Sequence, residues 1–396
     1  MPRKKNDIDK IQKEQLSKYV YDKFGKKLKY SHQCIQLSAE IKSITGKNIG
    51  ANTVRRFLGF LNHNFSTSLT TLNILSEYAG FHDWYSFTEK DTSTSFMPLT
   101  LDQEALLYLN FYAIDVKTEG DMNYHNVCRN IAVRILYNPV LLKKLAPLLA
   151  KIPTAQIYFF ERFPYIDGLC NSYKRSIQLY LQKKTDEAQI FGNCLLFLSA
   201  YLCNNHEDLK TYHVRLNQHP LNDSMHPFAI ARYIGSNLLY AHIKRENTVG
   251  WVAEVNKWNN FFLRKENMSF WQYPYFQHMI CDYLNLAGYF NDSYQIVKTK
   301  DHLVKKYEIE KGYEEALDVI THISRYAKSP DKFMNWLAAT DSPNNISPLF
   351  KKYFELQVLC VHRSLLPKGK KLKNVNIKIE ELVTQTGFTY FHLHLL

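Results

Sequence analysis

The sequence predicts an all-α protein, a small N-terminal helical bundle followed by an irregular α-solenoid of helix pairs. Three observations predict it. Apolar residues recur at three- and four-residue spacing through most of the 396 residues, which is the period of an amphipathic helix and not of a strand. Before residue 366 no Val/Ile-rich alternating run breaks that pattern, so a sheet-based domain is not expected. The body of the chain also repeats itself weakly, as stacked helix pairs do.

The first helix is expected within DIDKIQKEQLSKYVYDKFG, where Ile8, Ile11, Leu16, Tyr19, Val20 and Phe24 form one stripe and Gly25 stops it. Ser31 is placed to cap a second helix with the stripe Cys34, Leu37, Ile41 and Ile44, ended by Gly46. A third helix is expected over roughly 51–61, with Val54, Phe57 and Leu58 inward. A fourth starts near Ser68, turns Leu69, Leu72 and Leu75 inward and ends at Gly80. Trp84 and Phe87 are expected to close the bundle as a lid. The head therefore spans residues 1–90. Residues 91–100, KDTSTSFMPLT from Lys90 on, are polar and contain Pro98, which reads as a linker.

Runs such as DEAQIFGNCLLFLSAYL and FAIARYIGSNLLYAHI are apolar on more than one face, as helices packed on two sides are. Three segments share a helix, a short polar turn and a second helix. Their small residues, Ala200, Ala241 and Ala287, are 41 and 46 residues apart. That spacing is longer and less regular than the tetratricopeptide period of about 34 residues, yet follows the same logic. Residues 101–365 are thus expected to form a tetratricopeptide-like body. Residues 366–396 are expected to cap it with a helix or two, a short hairpin being the alternative for NVNIKI and FTYFHLHLL.

The net charge is +13, and residues 1–60 carry 14 Lys/Arg against 5 Asp/Glu, a balance of 14 − 5 = +9. A basic end of this kind is the electrostatic footprint of nucleic-acid binding, because phosphate neutralisation releases counterions. A solvated lysine-rich start is the bland alternative. The start MPRKKNDIDKIQKEQ is charged from its third residue, and no run of 18 apolar residues occurs, so neither export nor a membrane partner is expected. Seven cysteines without a C-x-x-C fit reduced thiols packed as small hydrophobes in a cytoplasm.

The stretch GANTVRRFLGF sharpens the expectation. Opposite its buried stripe lie Asn52, Arg56 and Gly59, with Arg55 on the flank. With CIQLSAEIKSITG before it, the segment has the order of a helix-turn-helix, in which the second helix enters the major groove of double-stranded DNA. Asn52 suits an adenine edge and Arg56 a guanine, while Thr53 and Arg55 suit phosphates. Gly59, read as a helical residue, would let the backbone approach the duplex.

A family resemblance enters at these residues. ITGKNIGANTVRRFLGFL followed by STSLTTLNILSEYAGFHDWYSF is similar to the N-terminal domain of a group of bacterial proteins. Thr53, Val54, Arg55, Arg56, Phe57, Leu58 and Gly59 carry the pattern, then Thr71, Leu72, Gly80, Phe81, Trp84 and Phe87. The resemblance covers about residues 30–90 and implies a Cro-like repressor module joined to a helical-repeat region. The overall plan also resembles peptide-responsive regulators that join such a head to a tetratricopeptide-like sensor.

In the body, FFERFPYIDG and FWQYPYFQHM hold aromatic clusters. Rings facing a solenoid's inner surface would suit an extended peptide or protein, with Glu161, Arg162, Tyr273 and Tyr275 as contacts. The same rings suit core packing between helix pairs. No phosphate-cradling glycine loop and no nucleophile motif is present, and His206, Glu207 and His213, or His392 and His394, lack metal-ligand spacing. No cofactor, metal or catalysis is expected. Two functions from different classes remain: a cytoplasmic DNA-binding regulator that works as a homodimer or with an effector, and a peptide-binding adaptor with no DNA role.

Overall fold

The structure, a computed structural model, describes residues 10–61, 67–92, 99–114, 122–264, 273–299, 311–326, 329–340 and 345–394. Every regular element among them is helical, so the chain is all-α, and its helices pack in a helical-repeat arrangement. Among the described residues no helix is long and apolar enough to cross a membrane. The chain divides into two compact units, Met1–Leu99 and Thr100–Leu396. Most of the expected linker, residues 93–98, lies outside the described residues.

The first unit holds α1 (Lys10–Phe24), α2 (Gln33–Thr45), α3 (Ala51–Phe57), α4 (Leu69–Tyr78) and α5 (Trp84–Thr92). Most of the expected stripes are buried in one cluster: Leu16 and Val20, then Cys34, Leu37 and Ile41, then Val54 and Phe57, then Leu72 and Leu75, whereas Tyr19 and Ile44, expected on the same stripes, are exposed. Trp84 and Phe87 are not a separate lid. They stand on α5 inside that cluster, with Phe87 fully buried and its ring 5.2 Å from that of Phe81. Ser68 caps α4 by accepting from the Thr71 amide at 3.3 Å, as its residue type predicts. Ser31 does not cap α2. The N-cap is His32, whose side chain makes no capping bond, while Gln33 Oε1 accepts from the amides of Lys29 and Tyr30 at 2.9 and 3.0 Å to close the preceding turn.

The second unit opens with α6 (Leu101–Tyr112), started by a reciprocal capping box between Thr100 and Gln103. Next come α7 (Met122–Leu136) and α8 (Pro139–Leu149), the latter begun by Asn138 as cap and Pro139 in the first turn. Arg134 of α7 donates to Glu104 of α6 through Nε at 2.7 Å and through Nη2 at 3.2 Å. A short helix α9 (Pro153–Ala155) runs on as a π-turn over Gln156–Glu161, and α10 (Lys174–Tyr180) follows.

From there the helices alternate. The first helices of successive pairs are α11 (Asp186–Leu202), α13 (Pro227–Lys244), α15 (Tyr275–Leu286), α17 (Lys311–Tyr326) and α19 (Lys351–Leu365). Each packs on the next, and each also packs on its own second helix: α12 (His206–Leu216), α14 (Val249–Leu263), α16 (Phe290–Val297), α18 (Pro330–Ala339) and α20 (Lys370–Thr386). The register of the repeat differs from that expected. The turns reverse at left-handed residues Asn204, Arg245 and Gly288, with φ of 53°, 56° and 78°. The next amides, of Asn205, Glu246 and Tyr289, donate to the carbonyls of Ala200, Ala241 and Leu284 at 2.8, 2.9 and 2.8 Å. The equivalent of Ala200 and Ala241 is therefore Leu284 and not Ala287, and the turns are 245 − 204 = 41 and 288 − 245 = 43 residues apart.

The C-terminal segment is helical and packs on the same core. After α20 a 3-10 turn over Thr389–His394 brings Phe391 into the cluster that begins at Ala105, so the hairpin alternative is not what forms. Asp167 ties the early part of this unit to α19. Its carboxylate accepts from the amides of Lys352 and Tyr353, both at 2.9 Å, and so caps that helix from a distant segment. Burial nevertheless pushes its carboxyl up to about 6. The expectation of wholly reduced cysteines is corrected: Cys170 and Cys203 form a disulfide with Cα atoms 6.4 Å apart. Cys34, Cys128, Cys194, Cys281 and Cys360 take part in no disulfide.

Candidate nucleic-acid interface

α3 is set against α2 by two side chains. The Ser38 hydroxyl donates to the carbonyl of Ile49 at 2.5 Å and fixes the connecting turn. The Arg55 guanidinium donates from Nε to the carbonyl of Ser31 at 3.1 Å and from Nη1 to Asn52 Oδ1 at 2.7 Å. Gly50, extended at φ −69° and ψ 142°, serves as N-cap, and its carbonyl accepts from Thr53 and Val54. With Val54 and Phe57 buried, Asn52 and Arg56 are exposed while Thr53 and Arg55 are half-buried.

The five residues expected to meet DNA thus lie in one segment, but they are not equivalent. Arg56 presents an exposed guanidinium, the group suited to a guanine edge. Arg55 is first of all a brace, because two of its donors are already committed within the protein. Asn52 has its oxygen engaged by Arg55. A bidentate contact to adenine then requires that oxygen to share its second lone pair or to release the arginine.

Gly59 is corrected. The helix ends at Phe57, Leu58 is its C-cap, and Gly59 follows with φ +83°. The Phe60 amide donates to Arg55 O at 2.8 Å and that of Gly59 to Arg56 O at 3.4 Å. This is the left-handed glycine closure of a helix C-terminus, which satisfies carbonyls that the last turn leaves open. Glycine is there for its backbone, and not to leave a helix face bare.

A second basic feature was not anticipated. Between α1 and the end of α3 runs a groove of about 740 Å³, lined by Lys13, Lys18, Lys26 and Lys27 among others and flanked by Glu14 and Asp22. Lys13 Nζ stands 5.9 Å from the centre of the Phe57 ring. The lysine spacing along α1 was visible in the sequence. Its convergence on the end of α3 depends on tertiary packing.

The body residues expected to form a peptide groove fall into internal contacts. Glu161 accepts from the Tyr180 hydroxyl and from Lys183 Nζ, both at 2.7 Å. Arg162 holds its guanidinium 5.9 Å over the Tyr158 ring, and its carbonyl accepts from the Tyr313 hydroxyl at 2.6 Å. Tyr273 is buried, with its hydroxyl against His278 Nδ1 and the Tyr313 carbonyl. Tyr275 packs on the rings of Tyr273, Phe228 and His226 at 4.8, 4.9 and 5.0 Å. Packing between helix pairs, the alternative for these aromatics, is where they are found.

No protein-family model matches the chain, and neither a curated protein nor a solved structure does.

Proposed function

We propose that the chain is a transcriptional regulator that binds double-stranded DNA through its first unit. α3 would lie in the major groove and the helical-repeat unit would serve as sensor or dimerisation body. The observation that carries this reading is the exposed pair Asn52 and Arg56 on a helix braced to its neighbour by Arg55 and Ser38. It stands within a segment of net charge +9, where phosphate contacts supply affinity and base contacts supply choice. The lysine-lined groove adds cationic groups on the same unit. A bacterial cytoplasm is the compartment this reading implies, with two heads placed on paired half-sites by a dimer or an effector.

The test is selection from a random duplex pool with the full chain, followed by binding at several salt concentrations. A regulator enriches a shared motif, and its affinity falls steeply with salt. An unenriched pool with weak, salt-independent retention would refute the reading and leave the adaptor function in its place.

A further inference from the structure

The first and last helices of the second unit are finished differently. Among its described residues, eight large hydrophobic side chains between Leu101 and Leu148 are exposed, against Val214, Val249 and Ile377 in all the rest. The eight lie on α6, α7 and α8 or just after them. Stacked helix pairs bury their faces on their neighbours, so a terminal pair that stays in water turns a polar side outward. The front of this unit does not.

Its exposed leucines and valine share one face. Lys144 of α8 pairs with Asp102 of α6, and both side chains are open to solvent, so the exposed sides of the two helices adjoin. Leu106 stands one turn along α6 from Asp102, while Val140 and Leu148 stand one turn to either side of Lys144. Leu106, Leu107 and Val140 are each more than half exposed. Side-chain caps begin both helices, Thr100 with Gln103 for α6 and Asn138 for α8, so the face is carried by regular elements.

Charge decides what fits there. A nucleic acid would meet leucine where its phosphates need cations. The other end of the unit does not match either: the exposed side of α20 carries Lys373, Glu380 and Glu381, and stacking head to tail would bury those charges against hydrocarbon. A second copy of the same face does match. It sets apolar side chains against apolar side chains, and Asp102 and Lys144 are already neutralised within each copy. Contact of like face with like face is isologous and closes at two chains. α6 is also the first helix after the first unit in the chain, so pairing there joins two copies close in sequence to both heads. We infer that the chain forms a two-fold dimer through the outer face of α6 and α8. The inference rests on the proposed function only for its purpose, the placing of two heads, and the pairing itself is measured without DNA.

The experiment is sedimentation equilibrium of the full chain at several concentrations. The natural chain is expected at twice the mass of one chain. Leu106→Glu and Val140→Glu are each expected at the mass of one chain with helical circular dichroism retained, because the two-fold sets each new carboxylate against an apolar face. Position 140 lies in the first turn of α8, where a carboxylate suits the helix, so that variant decides should Leu106→Glu fail to fold. Val249→Glu, at a site 70 % exposed elsewhere in the unit, is expected to remain a dimer. A natural chain of single mass at every concentration overturns the inference, and leaves the DNA reading to its own selection experiment. A dimer retained in the folded variants at 106 and 140 overturns it, as does a dimer lost equally in Val249→Glu. Mass that climbs past two chains with concentration overturns the two-fold closure. A monomeric natural chain that sediments with vesicles of phosphatidylcholine and phosphatidylserine would assign the face to a lipid surface and overturn the dimer.

Discussion

The amide of Phe60 donates to the carbonyl of Arg55 at 2.8 Å across Gly59, whose φ is +83°. A side chain there meets nothing within 4 Å, so no clash forbids it. The backbone does: a residue with a Cβ is disfavoured in the left-handed region by about 1–2 kcal/mol. Gly59→Ala and Gly59→Leu are both expected to lower the stability of the first unit by about that amount, measured by urea unfolding. Read from sequence alone, with Gly59 inside a helix, the leucine variant is expected to gain slightly. A gain in either variant would reinstate that reading.

Arg55 and Arg56 adjoin in sequence but are expected to separate in experiment. Arg56→Ala is expected to weaken binding to a selected duplex by about 1–3 kcal/mol, with relaxed preference at one base pair. Arg55→Ala removes the bonds to Ser31 and Asn52, so a loss of stability of about 1 kcal/mol should accompany its effect on DNA. If Arg55 also reaches a phosphate, its loss lowers affinity for all sequences alike and flattens the salt slope by about one. Urea unfolding and salt titration of both variants check this. Unchanged stability of Arg55→Ala would remove the bracing role.

Much of the fold was legible because local periodicity and burial agree. The stripes Leu16 and Val20, Cys34 and Leu37, and Val54 and Phe57 are where their spacing puts them. The end of α3 was misread because Leu58 and Phe60 continue an apolar pattern past the last helical residue, and only the backbone reveals the reversal at Gly59. The repeat was legible in kind but not in register, since Ala287 resembles Ala200 in size whereas the matching hydrogen bond is made by Leu284. Cys170 and Cys203 give no local sign of pairing, because the C-terminus of α11 is carried to Cys170 only by packing.

Helices α13 and α15 approach closely at Gly235. A Cβ on Gly235 would stand 2.4 Å from Tyr283 Cγ and 2.7 Å from Tyr283 Cβ, and the latter atom moves only with the backbone of α15. A Cβ on Gly288 would meet nothing within 4 Å. Gly235→Ala is expected to destabilise by about 1–3 kcal/mol through overpacking, against the gain of about 1 kcal/mol that alanine brings to a helix interior. Gly250→Ala, where the space is open, is the control and is expected to be neutral or mildly stabilising. Urea midpoints for the pair decide it, and equal midpoints would remove the close contact.

His226 gives the second unit an acid-sensitive joint. Its Nδ1 accepts from the Phe228 amide at 3.1 Å, which caps α13 and requires a neutral ring. Burial, and then the charge of Arg162, push its pKa down to about 3. Above about pH 6.5 the ring is neutral both folded and unfolded, and its contribution is fully present. Between about 6.5 and 3 the unfolded chain takes up a proton that the folded chain refuses, so stability falls as pH falls. Asp167 and Asp282 act in the opposite sense. Burial raises both to about 6, and the folded chain gains their protons first on acidification. A difference against His226→Asn isolates the histidine, because asparagine keeps a cap and does not titrate. Between pH 7.5 and 5 the natural chain is expected to lose about 1–2 kcal/mol relative to that variant, a figure reduced for the partial exposure of the ring. Urea unfolding at the two pH values measures it, and a constant difference would show that His226 protonates without cost to the fold.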